Sequence, residues 1–236
     1  MSKRAPTDVM PPAVARALTA DPYWFVIGGH AVRCFCPYRP SVDVDLGVES
    51  ARDAETLLRK LRRKGRVEII ERTEETIHLL FEGLDVSIFV LSELLPFSEE
   101  HALTLDGVLA TKLHAILDRG TRRDFFDLYV VLERHRLGIA ECLRALREVY
   151  GADLNEGLML RALVYFDDAT AEAPLPGEGE KDWAQVQAFF QSRVGALLTP
   201  PAEPLAIQAN VVDVCDAGSH NSKPRSPPVR RGKRKR

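Results

Sequence analysis

Long apolar runs are missing from this chain. The longest, "YWFVIGG" and "VSIFVL", fall far short of the roughly 18 consecutive apolar residues that a membrane-spanning helix needs. The N-terminal "MSKRAPTDVMPP" has no apolar signal core either, and both absences predict a soluble, cytoplasmic protein with no membrane partner. Cysteine is scarce. Cys34, Cys36, Cys142 and Cys215 include no C-x2-C pair of the kind that makes a zinc knuckle or redox motif, so free thiols in a reducing compartment are expected. His78, His101, His114, His135 and His220 form no metal-like cluster, and no spacing argues for a Ser-His-Asp or Cys-His nucleophile. No internal repeat is found at a period of roughly 20 to 50 residues, which excludes a solenoid.

Acid is absent from the end of the chain. "NSKPRSPPVRRGKRKR" carries eight basic residues and no carboxylate, so the formal charge of −2 conceals a body near −10 with a basic tail. The tail suits an electrostatic arm for nucleic acid, a localisation-like signal or a solubilising end. Having no aromatic residue, it offers no stacking platform, and any nucleic-acid binding by it would be salt-sensitive and indifferent to base sequence.

The remaining composition, 45% apolar and 28% charged over 236 residues, is that of one globular domain or two small ones. "PPAVARAL" opens a short helix, "YWFVIG" reads as a buried strand ending at Gly28-Gly29, and "HAVRCF" starts a helix. "SVDVDLGV" alternates strictly and reads as a strand. "ARDAETLLRKLRRKG" has Leu57, Leu58 and Leu61 at helical spacing, and "VEIIER", "TIHLLFE" and "LDVSIFVL" follow as strands. After about Pro96 the pattern is helical. "LDGVLATKLHAILDR" is closed by Gly120, and Thr121 caps "RRDFFDLYVVLERH". Helical runs follow over roughly 139–150 and 154–166, and "KDWAQVQAFFQSRVGALL" is a last amphipathic helix. The chain thus divides into an α/β core over 1–96, a helical domain over 97–200, and a disordered Pro-, Ser- and Arg-rich tail over 201–236.

Asp43 and Asp45 stand in the alternating strand. Side chains there alternate faces, so the two carboxylates share one face while Val42, Val44 and Leu46 pack on the other. Held about 7 Å apart, they repel unless a cation or donor lies between them. Paired carboxylates suit Mg²⁺ or Mn²⁺ together with substrate phosphates. Asp85 in "LDVSIFV" is a third acid entering an apolar strand; if the two strands are neighbours, three carboxylates converge as a two-metal phosphoryl-transfer site requires. Gly28-Gly29, at a strand-to-helix turn without side chains, lets triphosphate oxygens approach backbone amides.

Gly28-Gly29, thirteen further residues, Asp43-Val44-Asp45 and then Asp85 resemble the nucleotidyltransferase superfamily to which DNA polymerase beta belongs. Within it, "IGGHAVRCFCPYRPSVDVDLGV" together with "KLHAILDRGTRRDFFDLYVV" resembles the AbiEii/AbiGii family of nucleotidyltransferase-like toxins, over roughly residues 20–135. The resemblance implies an α+β fold, a mixed sheet flanked by helices and followed by a helical C-terminal domain. It implies Asp43, Asp45 and Asp85 as metal ligands, Gly28 and Gly29 as the phosphate turn, and Lys112 and Asp124 as residues needed for activity. It further implies Mg²⁺-dependent transfer of a nucleoside monophosphate from an NTP to an acceptor hydroxyl. The acceptor would be a tRNA 3′ end or other RNA, and the setting a toxin–antitoxin or phage-defence pair with a cognate antitoxin. Gly29 stands where many superfamily members carry Ser, so one hydroxyl donor to phosphate is missing at that position, and the tail matches nothing in the family.

The residues support part of this independently. Val108, Lys112, Ala115 and Arg119 form one helical stripe, so two cations face one way and are suited to clamping a triphosphate. Arg39, just before the acid strand, is placed to do the same or to pair with Asp43. "LLRKLRRKGR" is a basic surface for RNA. Simpler roles compete. Asp43 and Asp45 suit the polar face of an edge strand, Lys112 a solvated helix face, and Asp124 the N3 position behind Thr121. His30 is either a phosphate contact or incidental, and Asp127 suits an ion pair with Arg123 or Arg119. A non-catalytic nucleotide-binding or protein-interaction module of the same fold, and a transferase acting on a small-molecule antibiotic, are the alternative functions.

Overall fold

The computed structural model describes residues 3–151 and 155–199. Its strands are β1 (Phe25–Val26), β2 (Val44–Val48), β3 (Val67–Arg72), β4 (Thr76–Phe81), β5 (Leu84–Val90), β6 (Ser98–Glu99) and β7 (Ala102–Leu103). Helices α1 (Pro6–Val9), α2 (Pro12–Ala17), α3 (Gly28–Phe35) and α4 (Ala51–Lys64) accompany the sheet, and α5 (Leu105–Asp118), α6 (Arg122–His135), α7 (Ile139–Tyr150), α8 (Glu156–Ala162), α9 (Asp167–Ala171) and α10 (Asp182–Leu198) follow it.

The seven strands form one sheet in the order β3-β4-β5-β2-β1-β7-β6. It is mixed: β2 runs parallel to β5 and β1 parallel to β7, while the other pairs are antiparallel. The expected α+β class with a mixed sheet and a helical second half is what is found. Strand β2 sits centrally, with Val44, Leu46 and Val48 wholly buried. Gly47 lies opposite Phe25 on β1, and a Cβ there would strike the Phe25 ring, so the glycine is what lets that buried ring cover the strand. Helix α4 begins at Ser50, whose hydroxyl accepts from the Asp53 amide at 3.3 Å, and lays Leu57, Leu58 and Leu61 into the core.

Four local expectations are corrected. The strand read from "YWFVIG" is only Phe25–Val26, and Val42 is exposed rather than packed, because β2 begins at Val44. The run read over 154–166 ends as helix at Ala162, and α9 follows separately. Two short strands also lie past residue 96, where only helices were expected. Strand β7 joins β1 through the Val26↔Ala102 pair, so the sheet draws two strands from the segment assigned to the helical domain. Met1–Pro200 forms one compact unit, with a single apolar cluster running from Val14 and Phe25 through Leu113 to Phe190. Residues 201–236, read as a disordered tail, lie outside the described residues, as does Cys215; Cys34, Cys36 and Cys142 are free and buried.

The helical half is anchored by Phe125 on α6, which meets Phe166, Trp183 and Phe190 with ring centroids 5.2, 5.9 and 5.5 Å away. Truncating this fully buried ring is expected to cost about 3–5 kcal/mol, whereas Ile70→Ala on the exposed side of β3 should change stability by no more than about 0.5 kcal/mol. Urea denaturation of the two variants measures the contrast.

Candidate active site

The glycine turn and the aspartates are brought together by one pairing. Strands β1 and β2 are antiparallel with Val26 opposite Leu46, and the Ile27 amide donates to the Asp45 carbonyl at 3.0 Å. Gly28 follows with φ +60°, and a Cβ on it would lie 2.5 Å from Asp45 Oδ2. Glycine is required there twice over, for the positive φ and for the approach of the carboxylate. The turn opens α3, so free backbone amides at a helix start face the same space as Asp45.

A cavity of about 230 Å³ lies at this junction. Gly28, Gly29, Ser41, Asp43 and Asp45 form its acidic side, and Arg39, Lys112, Arg119 and Arg123 its cationic side. Asp43 sits at the lip with its side chain 53% exposed, 3.9 Å from Arg123. Asp45 is half-buried. Its pKa is raised, first by burial and then by the charge of Asp43, against the opposing pull of Lys112 and Arg119. A carboxylate pair held at this cost is a donor set that a hard divalent cation would relieve, and the Ser41 and Ser87 hydroxyls on the same wall add oxygen atoms.

The cationic side rests on a buried network. Lys112 Nζ lies 2.7 Å from Asp127 and 3.5 Å from Asp124, and all three side chains are at least 95% buried. Asp127 also takes the Arg39 guanidinium, with Nη2 2.9 Å from both carboxylate oxygens, and accepts from the Tyr38 hydroxyl at 2.6 Å. Asp124 is gripped by Arg119 at 2.8 and 2.9 Å and by the Thr121 hydroxyl at 2.5 Å. Burial alone would raise the Asp124 pKa, but the Arg119 hydrogen bonds, the Lys112 charge and Thr121 overcome it and hold the group down at about 2.

This arrangement corrects several readings. Strand β5 does lie beside β2, but the parallel register sets Ser87, not Asp85, opposite Asp45. Asp85 is exposed and outside the cavity, and among the described residues no group of three His, Cys, Asp or Glu is placed to hold an ion. Arg39 pairs with Asp127 instead of Asp43, and Asp127 with Arg39 and Lys112 instead of Arg119 or Arg123. Lys112 is not a solvated lysine. His30 is wholly buried and outside the cavity; burial and the Arg33 charge push its pKa down to about 4. Gly29 is explained by Ser41, whose Oγ lies 2.5 Å from where a Gly29 Cβ would be. The space that a serine at position 29 would fill already holds a hydroxyl delivered from the loop before β2.

The model of the nucleotidyl transferase AbiEii toxin family, Type IV TA system, matches residues 66–201. The chain belongs to this family. The AbiEii match takes in Lys112, Arg119 and Asp124, while the glycine turn and Asp43-Asp45 precede it. An uncharacterized protein of Aquifex aeolicus (strain VF5) is 25% identical over 180 residues, covering 72% of this chain and 86% of that protein. The crystal structure of a candidate nucleotidyltransferase from H. pylori shares the fold, with a TM-score of 0.50 at 15% identity, over 79% of this chain and 92% of that one. AbiEii membership makes the chain a nucleotidyltransferase of a toxin–antitoxin class, with a nucleotide as substrate and an antitoxin as partner. Among the described residues no helix is long and apolar enough to cross a membrane.

Removing Lys112 would leave two buried carboxylates short of a counter-charge. Lys112→Ala is expected to destabilise the protein by about 3–5 kcal/mol. Arg123→Ala, at an exposed 3.9 Å contact, should change stability by no more than about 1 kcal/mol. Thermal melts of the two variants test this.

Proposed function

We propose that the protein transfers a nucleoside monophosphate from an NTP to an acceptor hydroxyl on RNA, a tRNA 3′ end being the leading candidate, as the toxin of a toxin–antitoxin or phage-defence pair. The observation that carries this reading is the Asp43-Asp45 pair, with the Asp45 pKa raised by burial and by its neighbour, facing a glycine turn across a cleft from Lys112, Arg119 and Arg123. Asp43 and Asp45 would hold Mg²⁺ or Mn²⁺, which supplies charge neutralisation at the triphosphate. Asp85 has no part in this set. Arg119 and Arg123 stabilise the charge that accumulates on the β- and γ-phosphates, and Lys112 and Asp124 act chiefly by fixing Arg39 and Arg119 at the cavity wall. Gly28 and Gly29 admit the phosphates to the start of α3, and Ser41 supplies the hydroxyl absent from position 29. The acceptor oxygen attacks the α-phosphorus, the bond to the β-phosphate bridging oxygen breaks, pyrophosphate leaves, and the hydroxyl proton passes to Asp43 at the exposed lip. Support for an RNA acceptor comes from Arg59, Arg62, Arg63, Lys64 and Arg66, exposed along the end of α4 and beyond it on an otherwise acidic body.

Incubation with each of four α-³²P-labelled NTPs, Mg²⁺ and total cellular RNA is expected to label an RNA band with the wild type and not with the Asp43→Ala, Asp45→Ala double variant. Absence of label from RNA would remove the RNA acceptor, and label in a small molecule would point to an antibiotic-type transferase. Asp45→Asn should also abolish transfer while leaving the melting temperature equal or higher, since it deletes a charge the apo site holds unfavourably.

The pairing of Gly29 with Ser41 gives a swap experiment. Gly29→Ser should lower activity because the new side chain meets Ser41, Ser41→Ala should lower it by loss of the hydroxyl, and Gly29→Ser with Ser41→Gly should regain much of it. A double variant less active than both single ones would show that the hydroxyl serves another purpose.

A further inference from the structure

A second cavity, of about 260 Å³ and lined by Tyr38 and Arg39, shares Arg39 with the phosphate cleft. The shared wall is fixed: the Arg39 guanidinium lies over the Tyr38 ring at 5.6 Å, and both side chains bond Asp127. Each cavity is smaller than the range of about 300–1,000 Å³ usual for a whole small-molecule ligand. Two adjoining lobes of this size are compartments for parts of something larger than either. Their linings are opposite in character. The first lobe has four cationic side chains. The second has Phe126, Tyr129, Val130 and Leu175, and its acids repel a phosphate: Glu178 is already engaged by Arg122 and the Leu175 amide, and Asp182 by the Gly179 amide. Among the described residues, the Tyr129 hydroxyl and the exposed Gln185 amide there have no hydrogen-bond partner.

We propose that this second lobe is a nucleobase site, its aromatic rings providing stacking surface and Tyr129 and Gln185 reading polar edges, adjoining the phosphate cleft at Arg39. The inference rests on the nucleotidyl-transfer reading of that cleft. A flat ring with polar edges and no charge is what aromatic walls and one amide select, and it is the part of a nucleotide that carries no charge for the cations of the first lobe to hold. The base is that of the donor NTP or that of the acceptor's terminal nucleotide, and the two sources separate by experiment.

The test uses the full chain, wild type and the variants Tyr129→Ala, Tyr129→Phe and Gln185→Trp. Calorimetry in Mg²⁺ gives affinities for the four NTPs and for inorganic tripolyphosphate, and filter binding gives affinity for a total tRNA pool. Removing the ring in Tyr129→Ala is expected to weaken the preferred partner by on the order of tenfold, Gln185→Trp, which fills the lobe from an exposed position on α10, to weaken it at least as much, and Tyr129→Phe to weaken it less. Loss of NTP affinity with tripolyphosphate unchanged assigns the lobe to the donor base. Loss of tRNA affinity alone assigns it to the acceptor. If tripolyphosphate binds and neither variant changes NTP or tRNA affinity, the nucleobase site is wrong and the cleft reading stands; if wild type binds no tripolyphosphate, the cleft reading fails with it. Tyr129 packs on Phe189 with centroids 5.1 Å apart, so should Tyr129→Ala not fold, Gln185→Trp decides alone.

Discussion

The arrangement depends on Lys112 and the two carboxylates it serves. An ammonium group taken out of water is tolerated only where fixed acids surround it, and here Asp127 at 2.7 Å and Asp124 at 3.5 Å do so. Each acid then binds a second cation, Arg39 for Asp127 and Arg119 for Asp124. The result ties α5 to α6 and both to the loop before β2, elements far apart in sequence. It sets the positions of Arg39, Lys112 and Arg119, three of the four cations on one side of the cleft.

The opposite side is governed by a steric constraint. Gly28 has its positive φ and missing side chain because Asp45 Oδ2 occupies the space beside it, and Gly29 lacks a side chain because Ser41 does. Neither position tolerates bulk, and both leave amides open to the cavity. The acid pair therefore confronts backbone on one side and cations on the other.

Much of this was legible from local spacing. The glycine turn, the two aspartates on one face, the stripe carrying Lys112 and Arg119, and the Thr121 cap with Asp124 at N3 all follow from periods of 2 and 3.6 and from cap chemistry. What escaped was tertiary. Arg39 and Asp127 are 88 residues apart, and nothing near either indicates the other. Asp85 was misplaced because parallel register is set by the packing of whole strands, and a displacement of two residues exchanges it for Ser87 on the same face. Strands β6 and β7 are two residues each, too short for any period to register. The burial of Lys112 was hidden because a lysine on a helix reads as solvated whichever carboxylates the fold brings to it.

The central place of β2 carries a consequence for when activity can arise. Its parallel neighbour β5 is reached only after α4, β3 and β4 have intervened, and the cations opposite belong to helices beginning at Leu105 and Arg122. Non-local pairings of this kind form late in folding. A nascent or truncated chain ending before Asp127 would hold both aspartates and the glycine turn yet lack the clamp. The cationic side of the cleft is therefore complete only once about half the chain exists, and the order in which the elements are made decides when the two sides can meet.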